Sequence, residues 1–215
     1  MATEQRRRGV SSGSESTRLL TALRQCANVL DSLDQPWALV GGLAVSVRVE
    51  PRFTRDIDLA VAVADDPEAE ALVAEFIARG FTLKVSLEQA ALGRLAAVRL
   101  LPPGESDSGV IIDLLFMSSG VEPEICADAE RLEVAPGLVV PVAVAGHLVA
   151  MKLLALSPDR PQDAIDLRAL VPQLTHEDRA VAVVTVSRIE QLGANRGKAL
   201  SDELRQWLSR LGPPS

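Results

Sequence analysis

Tyrosine is missing from this 215-residue chain, and all aromatic residues together make up only 3% of it. Binding of single-stranded nucleic acid by base stacking needs such rings, so that mode is disfavoured. Cysteine and histidine are also scarce, with two of each: Cys26, Cys126, His147 and His176. Their spacing matches no zinc or Ser/His/Asp pattern. The two cysteines stand in apolar surroundings and read as inert core thiols of a reduced, cytoplasmic protein. Excess positive charge is absent as well. The chain has 22 Lys and Arg against 29 Asp and Glu, a net charge of −7, which argues against a broad basic face for indiscriminate nucleic-acid binding. No apolar run approaches the roughly 20 residues of a membrane-spanning helix. Nor is Arg6-Arg7-Arg8 followed by the apolar stretch of a secretory signal.

What the chain does have is apolar mass, 47% of its residues, enough for one large domain or two small ones sharing an interface. Residues 1–16, rich in Gly, Ser, Arg and Glu, read as a disordered tail. From residue 17 the spacing of Leu19, Leu20, Leu23, Cys26, Val29, Leu30 and Leu33 predicts a helix, closed by Pro36. Strands are expected at 37–40, 56–63, 81–85, 96–101 and 110–116, with helices at 43–49 and 68–79. A short helix or irregular stretch is expected at 122–130, then a small hairpin from 132–134 and 138–140. After Pro141 the pattern becomes helical, over 144–156, 161–170, 177–192 and 198–211. The expected organisation is therefore a mixed α/β core over 17–142 and a helical region over 143–215.

One stretch organises the rest. The apolar run Trp37 to Val40 meets Gly41-Gly42, and the chain then returns through Arg52-Phe53-Thr54-Arg55-Asp56-Ile57-Asp58-Leu59. On an extended strand residues i and i+2 share a face, so Asp56 and Asp58 project side by side. Like charges that close repel, and a cation between them relieves the repulsion. Oxygen ligands of this kind suit Mg²⁺ (or Mn²⁺), which takes one or two carboxylates plus substrate phosphates. The glycine pair permits close approach of backbone amides to a phosphate. Together these residues read as a metal-dependent nucleotide site with an NTP as substrate. Each piece has a plainer alternative: a simple turn at Gly41-Gly42, a solvated strand edge at Asp56. Arg48, Arg52 and Arg55 bracket the site; as guanidiniums they match phosphate geometry, and as plain surface charges they would only solvate a helix end and a turn. Asp113, alone among Ile111, Ile112, Leu114 and Leu115, is costly to bury without a partner or a bound cation.

In this order of elements the chain resembles the nucleotidyltransferase superfamily with the polymerase-β-type core, and within it the AbiEii/MenT group of toxin-type nucleotidyltransferases. The resemblance is carried by Gly41-Gly42, the Arg52-to-Leu59 run, Lys152, and the Arg160, Asp163 and Asp166 set; it spans roughly 37–170. It implies a mixed sheet flanked by helices with a C-terminal helical region, and an active site in the cleft between them. It further implies Asp56, Asp58 and Asp113 as metal ligands, Gly41 and Gly42 as a phosphate cradle, and a nucleotide contact at Thr54, where several members have Ser. Lys152 would then offset triphosphate charge, although a lysine there also fits a solvent-facing role. Asp163 becomes a candidate base toward the acceptor. Gln162 stands where the family more often has Arg or Lys, which leaves open whether Asp163 or Asp166 is the working carboxylate. The implied acceptor is a tRNA 3′ end, and the implied partner is a cognate antitoxin. Two alternatives share the fold: a transferase acting on small molecules such as aminoglycosides or lincosamides, and a catalytically idle binding protein.

Overall fold

The computed structural model describes residues 2–49, 54–89, 94–106 and 109–210. Helix α1 (Ala2–Ser32) buries Leu19, Leu23, Cys26 and Leu30 along one stripe, the period-3.6 face that the sequence pattern predicts. It starts well before residue 17, where a disordered tail was expected. Once the packed second half is in place, adding turns costs far less than nucleating a helix.

Seven strands follow in one mixed sheet: β1 (Trp37–Val40), β2 (Asp56–Val61), β3 (Thr82–Gln89), β4 (Arg94–Leu101), β5 (Ile111–Leu115), β6 (Glu130–Ala135) and β7 (Leu138–Val142). Their spatial order is β3-β4-β5-β2-β1-β7-β6. Strands β1 and β2 are antiparallel, β2 and β5 parallel, and β4 and β5 antiparallel. The near-continuous apolar runs of β1 and β2 match their central, doubly covered positions. Strand β3 runs to Gln89, beyond the predicted end at 85, because its antiparallel partner β4 carries the ladder through the polar residues. As an edge strand with exposed side chains from Thr82 to Val85, it has no need of an apolar continuation.

Helix α2 (Gly41–Arg48) begins at Gly41 itself, two residues earlier than predicted. Helix α3 (Asp66–Ala78) is capped by Asp65, whose side chain accepts from the Glu68 amide at 3.0 Å. The described residues from Ala145 onward contain no strand: α4 (Glu122–Ala127) precedes the β6–β7 hairpin, and α5 (Ala145–Ala155), α6 (Pro161–Leu170), α7 (His176–Gln191) and α8 (Leu200–Arg210) follow it.

Helix α5 is the buried axis of the helical region. Its Gly146 lets α7 approach closely, since a Cβ there would meet the Asp178 carbonyl oxygen at 2.3 Å. Helix α7 starts with a reciprocal capping box between Thr175 and Asp178. The C-terminus of α5 is capped by a cation: Lys198 Nζ donates to the carbonyls of Leu153 and Leu154, each at 2.9 Å, and to that of Leu156. A positive charge is favourable there because it faces the negative end of the helix dipole. One continuous apolar core runs from α1 through the sheet to α5, α7 and α8, so the C-terminal helices sit on the sheet as a fixed wall.

Candidate active site

The site forms where β2 and β5 run side by side against α5 and α6. The register places Asp58 opposite Asp113 across the parallel pair, and opposite Val40 across the antiparallel one. Val40 is the last residue of β1, so the turn into α2 falls beside Asp58. Gly41 has φ +65°, and a Cβ there would lie 1.8 Å from Asp58 Oδ2. Only glycine both adopts that backbone and leaves the carboxylate its place. Gly42 is buried and does not line the cavity; its carbonyl accepts from Ser46.

Asp56, Asp58, Asp113, Gly41, Lys152 and Asp163 all line one cavity of about 1070 Å³. Four cations line it as well: Arg99, Lys152, Arg160 and Arg196. The walls between these charges are apolar, with Ala97 and Val98 of β4 on one side and Leu148 and Met151 of α5 on another.

Burial pushes the Asp58 carboxyl up to about 6, and the neighbouring charges of Asp113 and Asp56 add to that, while Lys152 and Arg160 oppose it. Loss of hydration is the larger cause, and like-charge crowding adds the smaller part. Asp113 is held by Arg99 of β4, which stands opposite it in the antiparallel register. The guanidinium donates through Nε to Oδ1 at 2.8 Å and through Nη2 to Oδ2 at 2.7 Å.

Lys152 is only 7% exposed, which rules out the solvent-facing alternative. Its Nζ lies 2.8 Å from Asp163 Oδ1 and 2.8 Å from Asp166 Oδ2. Both aspartates are buried on the same face of α6, three residues apart. Asp163 also accepts from Arg160 Nε at 2.8 Å, and Gln162 donates to Asp166 at 3.3 Å. Both carboxylates therefore hold Lys152, and Asp163 holds Arg160 in addition.

The arginine bracket forms differently from expectation. Arg48 donates to the Ala143 and Val142 carbonyls, each at 3.0 Å, and pairs with Glu130, so it ties α2 to the end of β7. Arg55 pairs with Glu15 of α1 at 3.1 Å. Thr54 receives the Asp56 amide at 3.4 Å, a turn contact outside the cavity lining. Arg52 lies outside the described residues. Sequence reasoning missed Arg99 and Arg196. An arginine inside the apolar run from Leu95 to Leu101 of β4 was a signal for the first. Arg196, at φ +54°, shows itself only through its backbone and its hydrogen bond to the Ser118 carbonyl.

The two thiols are inert by environment. Burial pushes Cys26 well up and Cys126 to about 12. Among the described residues no three His, Cys, Asp or Glu side chains stand together as a ready metal cage. The donor set nevertheless fits a divalent ion that arrives with phosphates: Asp56 and Asp58 project into the cavity from one strand face, and Mg²⁺ needs no more protein carboxylates than that. No helix among the described residues is long and apolar enough to cross a membrane.

The family described as nucleotidyl transferase AbiEii toxin, Type IV TA system, matches residues 22–211. No curated protein matches the chain. Among solved structures, the antibiotic-resistance factor ANT(2'')-Ia superposes with a TM-score of 0.51 at 18% identity, covering 83% of this chain and 96% of that one. The same factor in complex with adenylyl-2''-tobramycin gives 0.51 at 16% identity, covering 78% and 97%. An antigenic nucleotidyltransferase-like protein from Paracoccidioides brasiliensis gives 0.49 at 20% identity, covering 86% and 94%. The two superpositions at 0.51 show the shared fold.

Proposed function

This chain belongs to the AbiEii nucleotidyltransferase toxin family, and on that premise we propose that it transfers NMP from an NTP to a hydroxyl at a tRNA 3′ end, with pyrophosphate leaving. The observation that carries the reading is the convergence of Asp56, Asp58, Asp113, Gly41 and Lys152 on one cavity.

Asp56 and Asp58 would hold Mg²⁺ or Mn²⁺, with Asp113 as a third ligand. When bound, the ion supplies charge neutralisation at the triphosphate and favours the deprotonated acceptor hydroxyl. Gly41 lines the cavity at the start of α2 and leaves Asp58 its place there, so the carboxylate stands beside the first turn of a helix, where a phosphate would be favoured. Lys152 is fixed in advance by Asp163 and Asp166, so it offers a positioned charge to the phosphates without losing side-chain freedom on binding. Asp163 already accepts from two cations, one at each oxygen, and its role is to position Lys152 and Arg160. Thr54 is proposed to meet the nucleotide or acceptor from outside the cavity lining, and Arg52 is proposed as a nucleotide contact from its place in the sequence motif; Gly42 is buried away from the cavity and Arg55 is paired with Glu15. A toxin role implies a cognate antitoxin partner, and a cytoplasmic location goes with it.

A second reading, a small-molecule acceptor, is favoured by one observation. Arg48 and Arg55 are committed to Glu130 and Glu15, which removes two charges expected for an RNA-binding rim. The test incubates the purified protein with Mg²⁺, total tRNA and each NTP in turn, radiolabelled at the α-phosphate. Label on tRNA that is lost in Asp58→Ala supports the proposal. NTP binding without labelled tRNA moves the acceptor to a small molecule, and no NTP binding overturns both readings.

A further inference from the structure

We propose that Arg99 is an exchangeable counter-ion: it occupies Asp113 while no divalent ion is present, and moves onto the nucleotide's triphosphate when the ion and NTP enter. The second half rests on the nucleotidyl-transfer reading; the first does not.

The argument starts from which cation in the cavity is able to move. Lys152 is buried and bound by two carboxylates at once. Arg160 is bound to Asp163, which is itself buried and locked to Lys152. Arg196 is turned to a backbone carbonyl. Arg99 differs from all three in its partner and not in its exposure, since the Arg160 side chain is 62% exposed against its own 46%: Asp113 stands in register with Asp58. The carboxylate it covers is therefore the one that a divalent ion on Asp56 and Asp58 would most directly recruit.

Arg99 takes both oxygens of Asp113 in a fork, so that carboxylate cannot ligate an ion without losing at least one of those bonds. An ion that does take Asp113 also brings positive charge next to the guanidinium, which drives it away. The guanidinium then needs an anion of planar, multi-oxygen geometry within reach, and a triphosphate supplies one. The crowding of Asp56, Asp58 and Asp113 explains why a resident cation is worth having in the empty site. Asp56, Asp58 and Asp113 all line one cavity, and without Arg99 the Asp113 carboxylate would face the other two with no cation across it.

The experiment measures Mn²⁺ binding to the wild-type chain, Arg99→Gln and Arg99→Lys, from the free-Mn²⁺ resonance signal, with no nucleotide present. It then measures binding of non-hydrolysable α,β-methylene NTP analogues in Mg²⁺, with unfolding midpoints recorded for each variant. Arg99→Gln should bind Mn²⁺ about fivefold more tightly, the scale of a partly exposed ion pair released from competition. It should bind the analogue about tenfold more weakly, the scale of a lost charge-assisted pair. Arg99→Lys, which keeps the charge but not the fork, should fall between the two in both measurements. A merely structural role would move both affinities the same way. Unchanged or weaker Mn²⁺ binding in Arg99→Gln overturns the counter-ion half. Tighter Mn²⁺ binding with unchanged analogue binding overturns the transfer to phosphate. A wild-type chain that binds Mn²⁺ but none of the analogues sinks the nucleotidyl-transfer reading and the phosphate half with it, while the Mn²⁺ comparison still decides whether Arg99 withholds Asp113.

Discussion

Removing the Lys152 charge should cost the fold more than any substitution on the cavity rim. Lys152→Met keeps the length and apolar stem of the side chain, so packing within α5 is nearly preserved. What is lost is the ammonium between Asp163 and Asp166, which are 2% and 1% exposed. Breaking a buried pair by deleting one partner leaves an uncompensated buried charge and costs about 3–5 kcal/mol. Asp163 retains Arg160 and Asp166 retains Gln162, which points to the lower end, about 3 kcal/mol. For a chain of this length that is a fall of roughly 6–12 °C in Tm. The double variant Lys152→Met/Asp166→Asn removes the carboxylate whose main cation has gone, and should recover at least half of the loss. The assay is urea denaturation followed by far-ultraviolet circular dichroism at neutral pH, on all three chains and on Asp166→Asn alone. A strong positive coupling between the two sites is expected. If Lys152→Met costs less than about 1 kcal/mol, the scale of an exposed pair, or if the two losses simply add, the buried triad is not what holds α5 to α6. The double variant also separates stability from function: restored folding with no transfer activity would show that Lys152 serves the reaction as well as the fold.

The raised Asp58 carboxyl makes a pH prediction. Its folded-state value of about 6 lies above the ordinary 3.8, so the protonated form stabilises the fold. That contribution is complete below about pH 4 and is lost as pH rises through about 6, a span of about 3 kcal/mol. In a chelator, wild type should therefore lose stability relative to Asp58→Asn across that window; parallel curves would refute it. Mn²⁺ affinity should rise over the same window, since the ion needs the deprotonated group, and calorimetry at several pH values checks this. Gly41→Ala places a Cβ 1.8 Å from Asp58 Oδ2 at a backbone φ of +65°; transfer should fall at least tenfold, from a distortion of about 2 kcal/mol, and full activity would overturn the close-approach argument. Lys198→Met removes the cation from the last carbonyls of α5 and should cost about 1–2 kcal/mol in denaturation; an unchanged midpoint would show that the cap is dispensable.

The mixed sheet with its helical C-terminal wall was legible because its signals are local. Apolar runs mark β1 and β2, Pro51 and Pro141 mark breaks, and period-3.6 patterns mark α1 and the helices after Val142. The spacing of Asp56 and Asp58 was legible for the same reason: a strand puts both on one face whatever surrounds it. What depends on register was not. Arg99 meets Asp113 because β4 is offset against β5 by a particular number of residues, and the polar loop between them conceals that offset. Arg48 shows the converse. Its guanidinium next to a nucleotide motif suggested phosphate, but the carbonyls of Val142 and Ala143, some 95 residues away in sequence, claim it first. The choice between Asp163 and Asp166 could not be made from spacing because both face Lys152 from the same side of α6.

The cavity balances its charges before anything binds, and it does so in two different ways. On the helical side, Lys152 is locked among buried carboxylates, where the low dielectric makes each ion pair costly to separate. That charge is fixed, and under the proposed reaction a phosphate group would meet it already oriented. On the sheet side, Arg99 and Asp113 are nearer the surface, with 46% and 17% of their side chains exposed, and water can replace either partner at modest cost. A transferase that must hold still while empty and admit a highly charged substrate gains from that division. A cavity in which every ion pair was buried would resist the rearrangement that an entering divalent ion demands. One in which every pair was exposed would present no positioned cation to the triphosphate. Strand β4 supplies the exchangeable charge and α5 the permanent one, so the boundary between the α/β core and the helical wall is where the two kinds of electrostatics meet.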